Sequence, residues 1–139
     1  MTNNDIGSRG ATVLADALKY NNTLTRLNLC LNGIGDAGAE SLAEALKTNT
    51  ALTELDLEET DIGDAGATAL ALVLGSTYYS SEIGEEKSWK KLKRMSNVQI
   101  KKNNRTLTRL VLTGNRIGAR GETALAEALK TNEKIRIKF

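Results

Sequence analysis

Apolar and polar residues alternate with two different periods, and the two periods follow each other repeatedly along the chain. The stretches 27–29 (Leu-Asn-Leu) and 55–57 (Leu-Asp-Leu) place leucine at every second position, which is typical of a short β-strand. Ala39, Leu42 and Leu46 then follow at a helical spacing. The pattern therefore predicts a series of strand–helix units.

The unit has a period of 28 residues. The segment IGDAGA at 34–39 recurs at 62–67, and the leucine pattern that begins at Leu24 begins again at Leu52 and Leu107. A partial copy opens the chain at Asn4. One strand and one helix cannot bury both of their apolar faces, whereas stacked copies bury a continuous core. The repeat predicts an α/β solenoid with a parallel sheet and the helices outside it.

Three segments carry a resemblance to a known family: LTRLNLCLNGIGDAGAESLAEAL, LTELDLEETDIGDAGATALALVL and LTRLVLTGNRIGARGETALAEAL. They resemble the leucine-rich-repeat family in its ribonuclease-inhibitor-like subclass, and are similar to repeats of NOD-like receptors, tropomodulin and the Ran GTPase-activating protein. The resemblance covers about residues 4–74 and 105–135. It implies a short right-handed solenoid, a single domain over 1–139, with strands on the concave face and helices on the convex face. We expect this solenoid to be truncated at both ends.

The same resemblance implies a ladder of side chains at the strand exits, bonding backbone groups of neighbouring repeats. Asn4, Asn32 and Asn115 occupy that position, and Thr60 replaces the amide in one repeat. A hydroxyl has one donor where an amide has two, so we expect a weaker ladder at Thr60.

Two aspartates stand where the helices are expected to begin. Asp36 and Asp64 occupy the position of an N-cap, which accepts hydrogen bonds from the first free N–H groups of its helix. Ala119 stands at the same position of the last full repeat. We expect the start of that helix to be less well fixed.

The period lapses at residues 75–104, where Leu52 and Leu107 are separated by 55 residues. This basic segment is either an insertion or a decayed repeat, and we favour an insertion. Leu72 replaces an acidic residue on an outer helix position, so we expect a helix near 87–103, which includes Trp89, to cover it. The basic residues of the segment form either a solvated face or a site for an acidic partner or a membrane surface.

Composition argues against catalysis. Histidine is absent and Cys30 is the single cysteine, so the commonest general base and a cysteine–histidine pair are both missing. We expect no enzyme activity, no metal and no cofactor. The net charge of +2 is too small to indicate nucleic acid, and no apolar run is long enough to cross a membrane. The first ten residues lack the apolar stretch of a signal peptide, so we expect a cytoplasmic protein.

We expect a non-catalytic protein–protein interaction module, because partners of such solenoids use the variable positions between the strand leucines. The candidate binding residues are Arg26, Asn28, Glu54, Asp56, Glu58, Arg109, Val111 and Thr113. The second strand is acidic, and its charges either pair with Arg26 and Arg109 or meet a basic partner. The alternatives are a regulatory domain of a GTPase-activating or similar enzyme-regulating protein, and a structural solenoid fragment. Residues 135–139 read as a final edge strand, so weak self-association through uncapped ends is also expected.

Overall fold

Strands and helices alternate along the chain. The structure, a computed structural model, describes residues 4–75 and 104–139. Its helices are α1 (Gly7–Leu18), α2 (Gly35–Leu46), α3 (Asp64–Leu74) and α4 (Ala119–Thr131). Its strands are β1 (Arg26–Asn28), β2 (Glu54–Asp56), β3 (Arg109–Val111) and β4 (Arg136–Lys138). The predicted strand–helix series is confirmed, including a strand near the end of the chain.

The four strands form one parallel sheet in chain order, β1-β2-β3-β4. Their central residues are in register: Leu27 lies beside Leu55, Leu55 beside Leu110, and Leu110 beside Ile137. The helices pack in the same order, each against the next. Leucines from strands and helices together form one buried core. This is the α/β solenoid that the repeat predicts.

β2 and β3 are hydrogen-bonded neighbours although 55 residues separate Leu52 from Leu107. The end of α3 closes onto the next strand through a bond of 2.9 Å from the Asn104 N–H to the Val73 carbonyl. The regular repeat before it has the same bond, from Asn49 to Ala45, at 3.0 Å. The insertion interpretation requires this pairing. The assignment of 75–104 itself falls almost entirely outside the described residues and stays a prediction.

Leu72 is 48% exposed, which contradicts the expectation that it is covered. The helix expected near 87–103 lies outside the described residues. A single exposed leucine is common in folded proteins, because there are too few polar side chains to cover the whole surface.

The expectation that Asp36 and Asp64 cap their own helices is wrong. No side chain caps α2 or α3 from within its own repeat. Instead, Asp36 Oδ1 accepts the N–H groups of Gly63 and Gly66, at 2.7 and 2.8 Å, at the start of α3. The Asp36 carboxylate therefore lies at the positive end of the following helix and accepts hydrogen bonds from N–H groups that a helix start leaves free.

Asp64 does the same for α4, accepting the N–H groups of Gly118 and Gly121, both at 2.8 Å. The start of α4 is thus held by the preceding repeat, and the expectation that Ala119 leaves it poorly fixed is also wrong. Glycine is required at 121, because a Cβ there would lie 2.8 Å from the carboxylate oxygen. At α2 the residue equivalent to Asp36 and Asp64 in the preceding repeat is Ser8. The first residue of α2, Gly35, has a φ of +65°.

A second set of asparagines, at the helix ends, links the repeats. The amide of Asn49 donates to the carbonyls of Leu18 and Asn21 at 2.7 and 2.9 Å. Asn104 and Asn132 make the equivalent bonds to the repeats before them. All three side chains are buried, so each satisfies backbone carbonyls that water cannot reach.

We predict that removing the 27 residues 77–103, which reduces the Leu52–Leu107 spacing from 55 to 28, leaves a folded solenoid. The shortened chain keeps Gly75 and Ser76, so that Asn104 follows Val73 by four residues, the same spacing as between Ala45 and Asn49 in the regular repeat. Urea unfolding should remain a single cooperative transition. Removing 75–103 is the matched control: it deletes both of those residues and should destabilise the fold. Unfolding of the first variant would contradict the expectation.

We predict that Asp64→Ala lowers the free energy of unfolding by about 1–2 kcal/mol, the usual loss when a helix cap is removed. Ser8→Ala changes the same position of the first repeat, where the structure shows no cap bond to α2. It should change the unfolding free energy by less than about 0.5 kcal/mol. Urea titration of both variants measures the difference, and equal losses would show that the carboxylate does not act as a cap.

Candidate functional site

The sheet face that the helices do not cover consists of two rows of side chains. The first row runs across the strands as Arg26, Glu54, Arg109 and Arg136. The second row runs as Asn28, Asp56, Val111 and Lys138. We call these eight residues the exposed sheet face. Parallel strands lie about 4.8 Å apart, so neighbouring members of a row are within reach of one ligand.

Six of the eight candidate binding residues line one shallow groove on this face, with a volume of about 270 Å³. They are Arg26, Asn28, Glu54, Asp56, Arg109 and Val111. The other two, Glu58 and Thr113, lie beyond the ends of β2 and β3. Val111 is buried between its neighbours and offers the groove little surface.

The charges of the two rows are only partly compensated. Glu54 lies 3.8 Å from Arg109 across the strands, in a pair whose side chains are both substantially exposed. Such pairs contribute about 0–1 kcal/mol to stability. In the described part of the chain Arg26 forms no ion pair within 4 Å, so the acidic strand pairs with one flanking arginine rather than both.

Asp56 is positioned by uncharged partners. Its Oδ2 accepts a bond from the Asn28 amide at 3.0 Å, and its Oδ1 accepts the Glu58 N–H at 3.1 Å. The Asn28 oxygen in turn accepts the Cys30 N–H at 3.0 Å. These bonds fix the orientation of the carboxylate and leave its charge unneutralised.

The strand exits share an unusual backbone conformation. Leu31, Glu59 and Gly114 occupy the same position and have φ of +60°, +50° and +71°. This left-handed conformation costs a non-glycine residue about 1–2 kcal/mol. At Leu31 and Glu59 the chain therefore keeps larger side chains beside the exposed sheet face despite that cost.

The strand-exit ladder is present in the hydrogen bonds. Asn32 Oδ1 accepts the N–H groups of Asn4 and Ile6 in the preceding repeat, at 2.9 and 3.3 Å. Asn115 Oδ1 accepts those of Thr60 and Ile62, at 3.1 and 2.9 Å.

The Thr60 hydroxyl contacts only its own repeat and the next. It bonds the Leu57 carbonyl at 2.8 Å and the Asn115 oxygen at 3.2 Å. Across the described residues it reaches no group of the β1 exit turn. The ladder is consequently shorter by one rung between β1 and β2.

Cys30 lies at the edge of the acidic exit turns. Desolvation by its surroundings raises the pKa of the thiol, and the nearby charges of Asp56, Glu58 and Glu59 raise it further. A raised pKa keeps the sulfur protonated at neutral pH, which disfavours nucleophilic chemistry.

Sequence reasoning missed two members of the exposed sheet face. Residues 135–139 were expected to form a final edge strand and were not counted among the binding residues, yet β4 places Arg136 and Lys138 beside Arg109 and Val111. The signal was the spacing: 27 residues separate Arg109 from Arg136, one less than the period.

The described residues contain no group of three or more histidine, cysteine or acidic side chains arranged to hold a metal ion. None of the described helices combines the length and the apolar character that a membrane span needs.

Comparisons with known proteins agree with this architecture. Among curated protein sequences, none matches the chain. A solved structure titled "Leiomodin-1 Actin-Binding Site 2" is similar over 99% of this chain, with a TM-score of 0.73 and 22% sequence identity. The chain spans 65% of the length of that solved chain. The family model described as "Leucine Rich repeat" matches residues 20–43, 48–71 and 103–126, together more than half of the chain. The chain belongs to the leucine-rich-repeat family.

Proposed function

We propose that this chain is a protein-interaction module that binds its partner through the exposed sheet face, the concave face in related solenoids. The observation that carries the proposal is the groove, where six variable side chains from three repeats converge. Strand leucines are committed to the core, so these alternating positions are the ones free to serve recognition. The proposal keeps the cytoplasmic location expected from the sequence.

The charges favour a partner that presents basic side chains to β2. Asp56, Glu58 and Glu59 form no ion pair with any described residue. Glu54 pairs with Arg109 across the strands, but both side chains are too exposed for this pair to explain the acidic strand as a stabilising device. Uncompensated charge on a binding face speeds association and orients the partner.

The alternatives to this proposal, regulation of a GTPase and a purely structural role, are tested by separate measurements. The solved neighbour is named for actin binding, which makes filamentous actin a sensible first probe, although a likeness of fold alone does not transfer that activity. Regulation of a GTPase would instead appear in a GTP hydrolysis assay. A purely structural segment would show no binding through the exposed sheet face at all.

We predict that a displayed library of random peptides, selected on the immobilised full chain, becomes enriched in lysine and arginine. Selected peptides should bind more weakly as salt is raised, because exposed charges are screened. The double variant Glu54→Lys/Asp56→Lys should weaken their binding by at least about tenfold, the effect of losing charged contacts at an interface. Binding is measured by fluorescence anisotropy, and actin is tested in parallel by co-sedimentation.

The matched control is Glu40→Lys/Glu133→Lys, which makes the same change in net charge at exposed positions away from the sheet face. It should leave binding unchanged. Circular dichroism and thermal unfolding of both variants separate binding from folding. If the sheet variant loses stability while its peptide binding is intact, the charges serve the fold and the proposal fails.

Cys30 provides an independent probe of the acidic exit turns, because it is the single cysteine of the chain. We predict that iodoacetamide alkylation reaches its half-maximal rate at a higher pH than for a free cysteine, since burial and neighbouring carboxylates raise the pKa of the thiol. Glu58→Gln should lower that pH, and Glu40→Gln should not. The pH dependence of the alkylation rate measures both. An unchanged profile in Glu58→Gln would contradict the expectation that the Glu58 charge raises the pKa of the thiol.

A further inference from the structure

The exposed sheet face changes sign between neighbouring strands. β2 carries Glu54 and Asp56, whereas β3 and β4 place Arg109 beside Arg136 in one row and Lys138 in the other. These three cations are exposed. All of them lie on the same side of β2, so the contrast does not depend on what adjoins β4. A partner of one sign would meet attraction on one strand and repulsion on the next.

The fold makes little use of the cations of β3 and β4. The ion pair of Arg109 with Glu54 spans 3.8 Å, which is longer than a hydrogen bond. Among residues 4–75 and 104–139, Arg136 and Lys138 form no ion pair within 4 Å. Like charges on neighbouring strands repel, so the placement of Arg109 beside Arg136 does not stabilise the sheet. An anion between them would relieve that repulsion, and guanidinium groups bind carboxylates through paired hydrogen bonds.

The acidic strand decides which kind of anion fits. A nucleic acid or a membrane surface presents negative charge continuously over many ångströms. Glu54 lies on the strand next to Arg109, about 4.8 Å away between backbones, so such a surface would bring its charge against the carboxylates of β2. A protein segment that carries both signs avoids this conflict, because its own cation can lie over β2.

The numbers of cations on the two sides of β2 favour one orientation. On the β1 side the sheet offers Arg26, and Asn28 beside it is already bonded to Asp56 at 3.0 Å. The β3–β4 side offers three cations. The acidic group of the partner is therefore held best over β3 and β4.

The backbone of the sheet favours a helical partner. β2 is hydrogen-bonded to β1 and β3, and β3 to β2 and β4, so neither strand has a free edge to which an extended peptide could add. The groove thus offers side chains, and a helix satisfies its own backbone while it presents side chains. The distance from β2 to the midpoint between β3 and β4 is about 7 Å. One helical turn of four residues rises about 6 Å, so residues i and i+4 match that distance.

We propose that the exposed sheet face, in the binding role proposed above, takes a helical segment of its partner protein that carries both signs of charge. Its basic side chain lies over β2, and its acidic side chain, four residues away, lies over β3 and β4. The inference rests on the proposed function and adds the second sign, the spacing and the helical form of the partner.

The library of random peptides selected on the immobilised full chain tests this arrangement. Selected peptides should be enriched in aspartate and glutamate as well as in lysine and arginine, with opposite signs four residues apart more often than in the unselected library. Selection on Arg136→Gln/Lys138→Gln should keep the basic enrichment and lose the acidic one. The matched control, Arg9→Gln/Arg120→Gln, removes the same charge at exposed helix positions and should keep both.

The affinity of one selected peptide, measured by fluorescence anisotropy, separates a partner of two signs from a purely basic one. Arg136→Gln/Lys138→Gln should weaken the selected peptide about fivefold, the upper effect of an exposed ion pair. The same variant should bind an oligolysine peptide more tightly, because cations that repel it are gone. Replacing the acidic residues of the selected peptide with glutamine should abolish its sensitivity to the variant, which a double-mutant cycle measures. Thermal unfolding confirms that each variant is folded.

Enrichment in basic residues without acidic ones overturns this inference and leaves the proposed function intact. The absence of any basic enrichment, or binding that is unchanged in Glu54→Lys/Asp56→Lys, removes the proposed function itself. Acidic enrichment that persists on Arg136→Gln/Lys138→Gln overturns the placement over β3 and β4, and opposite charges spaced by two residues overturn the helical form. Binding that becomes at least about tenfold tighter when residues 77–103 are removed overturns the partner assignment, since the chain's own basic segment would then be the occupant.

Discussion

The fold depends on side-chain amides and carboxylates that satisfy the backbone groups between repeats. Short strands and the turns around them leave many buried N–H and carbonyl groups without a partner in the same repeat, and each would be costly if unpaired. Asn49, Asn104 and Asn132 bond such groups at the helix ends, and Asp36 and Asp64 bond them at the helix starts. Nearly all of these bonds cross from one repeat to the next. A single strand–helix unit therefore satisfies neither its apolar face nor its polar backbone without a neighbour.

The same constraint decides where variation is possible. Core leucines and the linking asparagines and aspartates have fixed tasks, so the alternate strand positions and the exit turns are left to differ between repeats. β2 uses this freedom to carry Glu54 and Asp56, whereas β3 and β4 carry basic residues at most of the matching positions. The exposed sheet face consequently has an acidic strand, β2, with Arg26 on one side and the basic residues of β3 and β4 on the other.

Much of the fold could be predicted because the 28-residue period reports the stacking directly. The alternation of strands and helices and the parallel strands follow from it, whereas the pairing of β2 with β3 belonged to one of the two interpretations that the lapse at 75–104 left open. The role of Asp36 could not be predicted, because a sequence position at a helix start does not show whether the carboxylate turns to its own helix or to the next. The deciding contact, with Gly63, depends on the distance between helices. Arg136 was missed as a sheet-face residue for a related reason: losing one residue from the period changes which side chains share a row.

The links between repeats are not equally numerous along the solenoid. Between α1 and α2 no aspartate spans the repeats, because Ser8 stands in its place. Between the exits of β1 and β2, Thr60 leaves out a rung. The junction of β2 with β3 has both the Asp64 carboxylate and the Asn115 amide. That junction also closes the longest chain interval, yet doubling a loop adds only about 0.6 kcal/mol of closure entropy. Local opening should therefore begin toward the N-terminus, where fewer hydrogen bonds link the repeats. The junction of β2 with β3 should open late, although the repeat period lapses there.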